Sequence, residues 1–157
     1  YAGYMISTSG NINILEYNCR FGDPETQPIL MRLQNDLFIL CQHAVNGTLN
    51  QIDLRWDSRP ALGVVLASEG YPNQYQKGFA ITGLEKCQKN CKIFHAGTQM
   101  KDDQIITSGG RVLCVTAIGD TLEQAQKTAY QQIKHIRWPG IFYRNDIGYR
   151  AILNGRH

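Results

Sequence analysis

An apolar run of strand length and a helical apolar stripe in the second half of the chain constrain the fold most. The run covers residues 61–67, with Pro60 before it and Glu69-Gly70 after it, which predicts a strand. Further on, apolar residues recur at three- and four-residue spacing behind a capping residue at Asp120 or Thr121. The stripe predicts a helix to about residue 136, ended by Trp138-Pro139-Gly140; its members are Leu122, Ala125, Ala129, Ile133 and Ile136.

Three further strands are predicted between these two elements. The turn residues Ser108-Gly109-Gly110 separate the last two, so we expect those two strands to form a hairpin. Residues 60–157 are therefore predicted to form a small mixed α/β domain with antiparallel strands; the additional strands are 92–97, 104–107 and 111–118.

The beginning of the chain predicts two strands, 1–6 and 12–18, joined by a turn at 7–11. A pair of strands alone is only marginally stable in water. We therefore expect the pair to belong to a larger sheet whose other strands lie in an N-terminal portion outside this chain.

A loop over 19–26 is followed by a predicted long helix over about 27–46, which Gly47 ends. Residues 46–59 are polar and irregular and are interpreted as the linker to the second unit. The helix would present one apolar face, formed by Leu30, Leu33, Leu37, Cys41 and Ala44.

Composition argues against several classes of protein. The formal charge is only +3 and the basic residues are scattered, which does not favour nucleic-acid binding. No apolar run approaches the roughly 20 residues that span a bilayer, so no membrane association is expected. The five cysteines are irregularly spaced, and Cys41 and Cys114 lie in apolar runs. Cys87 and Cys91 are four residues apart, which is not CxxC spacing, and no second pair of ligands completes a zinc site. Free thiols in a reducing cytoplasm are expected.

Candidate ligands for a metal ion lie at the end of the second strand. Glu16 and Asn18 are two residues apart, so their side chains should point to the same face of an extended strand. Carboxylate and amide oxygens suit Mg²⁺, which takes its remaining ligands from phosphates and water. The same spacing is also compatible with two polar residues on a solvated face.

The loop that follows is rich in charge. Arg20 offers a planar fork of donors for a carboxylate or a phosphate. Gly22 permits a tight turn, and Asp23 must be extended before Pro24. With Glu25 this segment predicts either a substrate-binding loop or a loop stabilised by its own ion pairs.

This segment carries a specific resemblance. Residues 18–28, NCRFGDPETQP, resemble the diagnostic segment of glycinamide ribonucleotide synthetases. Motifs of the C-terminal domain of that family follow in the same order, so the resemblance spans nearly the whole chain: LGVV at 62–65, GYP at 70–72, HAGT at 95–98, GGRVL at 109–113 and DIGYRA at 146–151.

The resemblance implies an α+β protein composed of the end of an ATP-grasp domain, residues 1–59, and a small C-terminal domain, residues 60–157. It implies a cytoplasmic ligase of purine biosynthesis that joins glycine to 5-phosphoribosylamine through a glycyl phosphate. The products would be glycinamide ribonucleotide, ADP and phosphate. ATP would be bound mainly by the missing N-terminal portion, so the isolated chain is expected to be inactive.

The resemblance also assigns roles to residues. Glu16 and Asn18 match the metal-binding pair for Mg²⁺ or Mn²⁺. Arg20 matches an arginine suited to a catalytic role on the phosphoryl charge or to binding a substrate anion. Asp23 and Glu25 would either bind a substrate amino group or support Arg20.

The C-terminal domain offers weaker candidates. Gly109 and Gly110 could bring backbone N–H groups to a phosphate beside Arg111, although such a segment is commonly only a turn. His95 is interpreted as structural, and Arg144, Asp146 and Arg150 as a surface or interdomain ion network. Two alternatives for the whole chain are another ATP-grasp ligase or carboxylase, and a non-catalytic structural domain.

Overall fold

The computed structural model describes residues 1–155, which form eight strands, four α-helices and one 3₁₀ helix. The strands are β1 (Ala2–Ile6), β2 (Ile12–Tyr17), β3 (Ala61–Ser68), β4 (Cys91–His95), β5 (Thr98–Lys101), β6 (Gln104–Thr107), β7 (Arg111–Ile118) and β8 (Ile141–Phe142). The α-helices are α1 (Thr26–Arg32), α2 (Leu37–Val45), α3 (Leu122–Ile133) and α4 (Tyr149–Asn154). The expected mixture of helices with antiparallel sheets is confirmed.

The central sheet has the strand order β4-β7-β3-β8, and every pairing in it is antiparallel. β3 and β7 pair over almost their full length, with Val64 opposite Val115. Because side chains alternate across a strand, the two strands present one shared apolar face and one shared mixed face.

The apolar face packs against α3 and forms the core. Thr121 caps this helix by accepting a hydrogen bond from the Gln124 N–H, as its sequence predicts. Ala125, Ala129 and Ile133 of the predicted stripe are buried, as expected, and Leu122 is partly buried. The helix ends at Ile133, so Ile136 is buried beyond it and not within it as predicted. The most completely buried side chains of the core are Val64, Leu66, Val112, Val115, Ala117, Ala125, Ala129 and Ile136.

The opposite face of the sheet receives α1, which precedes the sheet in the chain. A Cβ atom on Gly63 of β3 would crowd two side chains of β7, Cys114 Sγ at 3.2 Å and Thr116 Oγ1 at 3.3 Å, and would lie 3.5 Å from Pro28 Cδ of α1, an ordinary contact distance. The glycine therefore relieves crowding between the paired strands beneath the helix. Through this contact the loop before α1 reaches the edge of the C-terminal sheet.

The predicted hairpin between residues 104–107 and 111–118 is wrong. β6 pairs with β5, through a turn at Asp102 and Asp103 whose φ angles of 47° and 58° are left-handed. β7 pairs instead with β3 and β4. Residues 108–110 therefore carry the chain from the small β5–β6 sheet into the central one. The polar sequence of β5 gave no apolar alternation by which it could be predicted.

The single long helix predicted over 27–46 is also wrong, because the chain leaves the helical conformation at Leu33. Asp36 starts α2 by accepting a hydrogen bond from the Phe38 N–H, and Asn35 Oδ1 accepts one from the Arg55 N–H. Hydrogen bonds from backbone N–H groups to these two side chains thus replace the hydrogen bonds of a continuous helix. Residues 46–59 are irregular as predicted, apart from a short 3₁₀ helix, and an isolated bridge between Leu33 and Trp56 anchors them to the end of α1.

Large apolar side chains of the first part of the chain are exposed. β1 and β2 pair as predicted, but none of their residues is buried, and α2 buries none either. Cys41 is consequently exposed, which corrects its assignment to the core, whereas Cys114 is buried as predicted. The five cysteines are free thiols.

Within residues 1–155, no helix is long and apolar enough to cross a membrane.

An ion pair stabilises the turn that leads into the central sheet. Arg59 Nη2 lies 2.7 Å from Asp57 Oδ2, and Arg59 Nε lies 3.0 Å from Asp57 Oδ1. The Arg59 side chain, followed by its backbone N–H, lowers the pKa of Asp57 from the usual 3.8 to about 2.

A lowered carboxyl pKa contributes stability that is present above the pKa of the unfolded chain and is lost as pH falls through the folded value. We therefore expect the difference in free energy of unfolding between the wild-type chain and Asp57→Asn to shrink between about pH 4 and pH 2. Arg59→Gln, which removes the donor, should show the same loss. A difference that stays constant across this interval in chemical denaturation would contradict the assignment.

Candidate functional site

The predicted metal pair lies where β2 ends. Glu16 is the last but one residue of β2, and Asn18 follows the strand directly. The hydroxyl of Tyr1 donates a hydrogen bond to Glu16 Oε1. That bond, and then the bond from the Asn18 side chain, lowers the pKa of Glu16. The two side chains therefore lie together and Glu16 is an ionised carboxylate at neutral pH, as two ligands of one hard cation should be.

These two residues do not form a complete coordination shell by themselves. Among residues 1–155 there is no group of three or more His, Cys, Asp or Glu side chains that could hold a metal ion. A cation at Glu16 and Asn18 would have to take its other ligands from phosphates, water or other protein groups, which is the usual arrangement for Mg²⁺.

The loop after β2 is fixed by short hydrogen bonds at its end. Thr26 donates to the Gly22 carbonyl oxygen with its backbone N–H at 3.0 Å and with Oγ1 at 2.6 Å. A Cβ atom on Gly22 would collide with the Glu25 carboxylate, so the glycine allows this carboxylate to lie against the turn. Arg20 donates to the Phe21 carbonyl oxygen, and its guanidinium lies 5.5 Å from the centre of the Tyr1 ring.

An ion pair joins this loop to the C-terminal sheet. Arg111 Nη2, at the first position of β7, lies 2.6 Å from Asp23 Oδ2, although the two residues are 88 positions apart. The side chains are 40% and 60% exposed, so solvent screens the pair. The pair therefore contributes more to positioning the loop beside Arg111 than to the free energy of unfolding.

The loop and Arg111 enclose an open cleft of about 790 Å³, a size suited to small-molecule ligands. Four of the predicted site residues line it, namely Arg20, Asp23, Glu25 and Arg111. Glu16 adjoins it through its contact with Tyr1. The prediction from sequence missed four other lining residues: Tyr1, Phe21, Gly22 and Ile29. Of these, Phe21 and Gly22 lie inside the motif itself, whereas Tyr1 and Ile29 enter only through tertiary packing.

Gly109 and Gly110 precede Arg111 in a tightly packed turn. A Cβ atom on Gly110 would collide with the ring of Tyr71, and the backbones of Gly97 and Gly109 touch. The Gly109 and Gly110 carbonyl oxygens accept hydrogen bonds from the Ser68 hydroxyl and the Ser68 N–H. Their own N–H groups have no partner within the described part of the chain. Two free backbone donors thus lie directly before a guanidinium.

A smaller cavity of about 210 Å³ is also lined by Asp23 and Arg111. Its wall also contains Gln27, Val65, Ala96 and Cys114. Burial, together with the nearby Asp23 carboxylate, raises the pKa of the Cys114 thiol, which is therefore protonated at neutral pH.

The other candidates lie away from the cleft. His95 contacts Thr98 Oγ1 at 3.1 Å at the end of β4, which agrees with a structural role. Arg144 and Asp146 form an exposed ion pair at 2.7 Å. Arg150 is not in salt-bridge contact with that pair and donates instead to the hydroxyl of Tyr149.

Comparison with known proteins agrees with this arrangement of motifs. The family described as "Phosphoribosylglycinamide synthetase, C domain" matches residues 61–150. The chain belongs to the phosphoribosylglycinamide synthetase family.

Individual relatives extend the similarity to the first part of the chain. The phosphoribosylamine–glycine ligase of Vibrio cholerae is 56% identical over 153 residues, which is 97% of this chain. That of Pseudomonas syringae pv. tomato is 53% identical over 157 residues. The crystal structure of the Thermotoga maritima phosphoribosylamine–glycine ligase matches 93% of the chain at 37% identity with a TM-score of 0.74. The chain spans 36% of the length of each of these three proteins.

The exposure of the Asp23–Arg111 pair predicts a small contribution to stability. A double-mutant cycle of Asp23→Asn and Arg111→Met should give a coupling of about 0.2–1 kcal/mol in the free energy of unfolding, falling with added salt. The Arg144–Asp146 pair is a matched control, since it is equally short and exposed. A coupling above about 2 kcal/mol for Asp23–Arg111 would show that the pair is desolvated and structural.

Proposed function

We propose that this chain is the C-terminal part of a phosphoribosylamine–glycine ligase. With the rest of the polypeptide it would join glycine to 5-phosphoribosylamine at the expense of ATP, giving glycinamide ribonucleotide, ADP and phosphate. The observation that carries the proposal is the cleft in which the RFGDPE loop meets Arg111 of the C-terminal sheet. The identity of more than half to named ligases over nearly the whole chain supports it.

The reaction needs an activated carboxyl group, because a free carboxylate has no leaving group. A glycine carboxylate oxygen attacks the γ-phosphorus of ATP, and the bond to ADP breaks. The nitrogen of phosphoribosylamine then attacks the carbonyl carbon of the glycyl phosphate, phosphate leaves, and the nitrogen loses a proton. In both steps the protein must hold anions close together and stabilise the charge that moves between them.

Glu16 and Asn18 would hold Mg²⁺ or Mn²⁺. They fit such an ion because their side chains are adjacent, each carries an oxygen atom that can ligate a metal, and Glu16 is ionised. When bound, the ion would neutralise phosphate charge and orient the transferred group. Most of the ATP site would be supplied by the N-terminal portion of the polypeptide, which is the principal partner of this chain.

Arg20 is the proposed catalytic residue on this loop. Its guanidinium is exposed at the cleft, where it donates to the Phe21 carbonyl oxygen and contacts Tyr1, and its planar fork suits a phosphoryl group or a carboxylate. Glu25 and Asp23 present carboxylates to the same cleft, where they suit the amino group of glycine or of phosphoribosylamine. Asp23 would do so while it also contacts Arg111.

Gly109, Gly110 and Arg111 would bind the phosphate of phosphoribosylamine. The two unpaired N–H groups and the guanidinium supply donors on neighbouring residues, a combination that recurs at phosphate sites.

On this proposal the chain divides near residue 59 into the end of an ATP-grasp domain and a C-terminal domain, and the enzyme acts in the cytoplasm.

The isolated 157-residue chain should not form glycinamide ribonucleotide, because most of the nucleotide site would lie outside it. Purified chain supplied with ATP, glycine, phosphoribosylamine and Mg²⁺ should release no ADP above background. Addition of the separately expressed N-terminal portion is the positive test, and recovered turnover would support a shared site. ADP release by the chain alone that depends on glycine would contradict the proposal.

In the full-length ligase, Glu16→Gln and Asn18→Ala should each lower turnover by about 10²-fold and raise the Mg²⁺ concentration needed for half-maximal rate. The loss follows from removal of an oxygen ligand or its charge. Glu85→Gln, an exposed carboxylate far along the chain, serves as the control. Wild-type rates for both variants at limiting Mg²⁺ would show that the metal is held elsewhere.

A further inference from the structure

Two cysteines lie together in the turn that leads into β4, an edge strand of the central sheet. Cys87 is exposed, whereas Cys91, the first residue of β4, is partly buried against the core. The Cys87 thiol donates a hydrogen bond to the Cys91 carbonyl oxygen at 3.1 Å, and a hydrogen bond also joins the two thiols. No other two cysteines within residues 1–155 are joined in this way.

The fold holds this turn in place from two sides. The Cys91 N–H donates to the Gln88 carbonyl oxygen at 3.2 Å, and Asn90 adopts a left-handed φ of 63°. The Gln88 N–H donates at 2.9 Å to Oε1 of Gln132, a fully buried side chain of α3. The Asn90 carbonyl oxygen accepts a hydrogen bond from the Ile118 N–H, at the end of β7. Contacts with α3 and β7 therefore keep the two cysteines together.

The charges around the turn favour the approach of an anion to Cys87. Lys86, Lys89 and Lys92 are exposed and outnumber the one neighbouring carboxylate, Glu85. A local excess of positive charge raises the concentration of anions nearby. Glutathione disulfide, which carries more carboxylates than amino groups, is an anion of this kind.

The two thiols differ in their readiness to react. Burial, followed by the nearby Cys87 thiol, raises the pKa of Cys91 to about 12, so Cys91 is protonated at neutral pH. Because the thiolate is the nucleophile, the exposed Cys87 should react first and Cys91 second. An accessible cysteine with a second cysteine beside it is the usual arrangement of a redox-reactive pair.

We propose that Cys87 and Cys91 form a redox-reactive pair, which a low-molecular-weight disulfide oxidises to an intrachain disulfide bond. Neither cysteine lines the cavities at the candidate site, so the inference does not depend on the proposed function. Under reducing conditions both residues remain free thiols, as the structure has them.

The oxidation takes place in two exchange steps. Cys87 loses its proton to solvent and attacks one sulfur of the small disulfide, whose S–S bond breaks as a small thiolate leaves and takes up a proton. Cys91 then loses its proton and attacks the Cys87 sulfur of this mixed disulfide, and a second small thiol leaves. The two cysteines together lose two electrons and two protons, and the small disulfide is reduced to two thiols. Excess small thiol reverses both steps.

The test is peptide mapping of the full-length protein after incubation with glutathione disulfide, alkylation of the remaining thiols and digestion with trypsin without reduction. Lys89 lies between the two cysteines, so trypsin cuts between them. We expect residues 87–89 (CQK) and 90–92 (NCK) to be recovered as one linked pair. Excess reduced glutathione should separate them.

Single variants test the order of the steps. Cys91→Ser should retain glutathione on Cys87, because the second thiol is missing. Cys87→Ser should leave Cys91 reduced. Cys41→Ser, which removes an exposed cysteine of α2, is the control and should give the same linked pair as the wild-type protein.

The contribution of the fold is measured by equilibration with mixtures of reduced and oxidised glutathione. The equilibrium constant for the linked pair should be at least about tenfold larger in the native protein than in denaturing urea, because only the fold holds the turn closed. The inference is overturned if both cysteines of the wild-type protein stay reduced, if glutathione persists on Cys87, or if Cys87 links to another cysteine. Equal constants in native and denatured protein would also overturn it.

Discussion

The antiparallel pairing of β3 with β7 is the interaction on which the other features depend. Its apolar face packs against α3 and forms the core, and its other face packs against α1. β7 begins at Arg111, so the same pairing that organises the core also fixes the backbone of this arginine at the start of an inner strand. The loop before α1 is thereby brought against Arg111.

The resulting site is composed of groups that are far apart in the chain and open to solvent. Exposed ion pairs contribute little to stability, so the Asp23–Arg111 contact is better understood as a means of placing charges than of holding the fold. The core supplies rigidity, and the open cleft presents hydrogen-bond donors and carboxylates to solvent. Such a division between a packed scaffold and a polar edge is usual for ligand sites.

The sequence predicted those elements whose residues show strong local patterns. We could predict the stripe of α3, its Thr121 cap and the strand β3 without knowing which elements pack against them. The motif at 18–28 identified Arg20, Asp23 and Glu25 as a group, and the structure brings all three to one cleft. The α1–α2 break was missed because it depends on Asn35 and Asp36 capping backbone groups, which apolar periodicity does not show. The pairing of β6 with β5 was missed because the polar sequence of β5 shows no apolar alternation.

The most direct test of the account is a crystal structure of the full-length ligase with Mn²⁺, glycine and a non-hydrolysable ATP analogue. The anomalous signal of manganese should place an ion within about 2.3 Å of oxygen atoms of both Glu16 and Asn18, with phosphate oxygens completing its shell. The Arg20 guanidinium should face the γ-phosphate or the glycine carboxylate. An ion bound by other side chains, with Glu16 and Asn18 turned away from the nucleotide, would contradict the central claim.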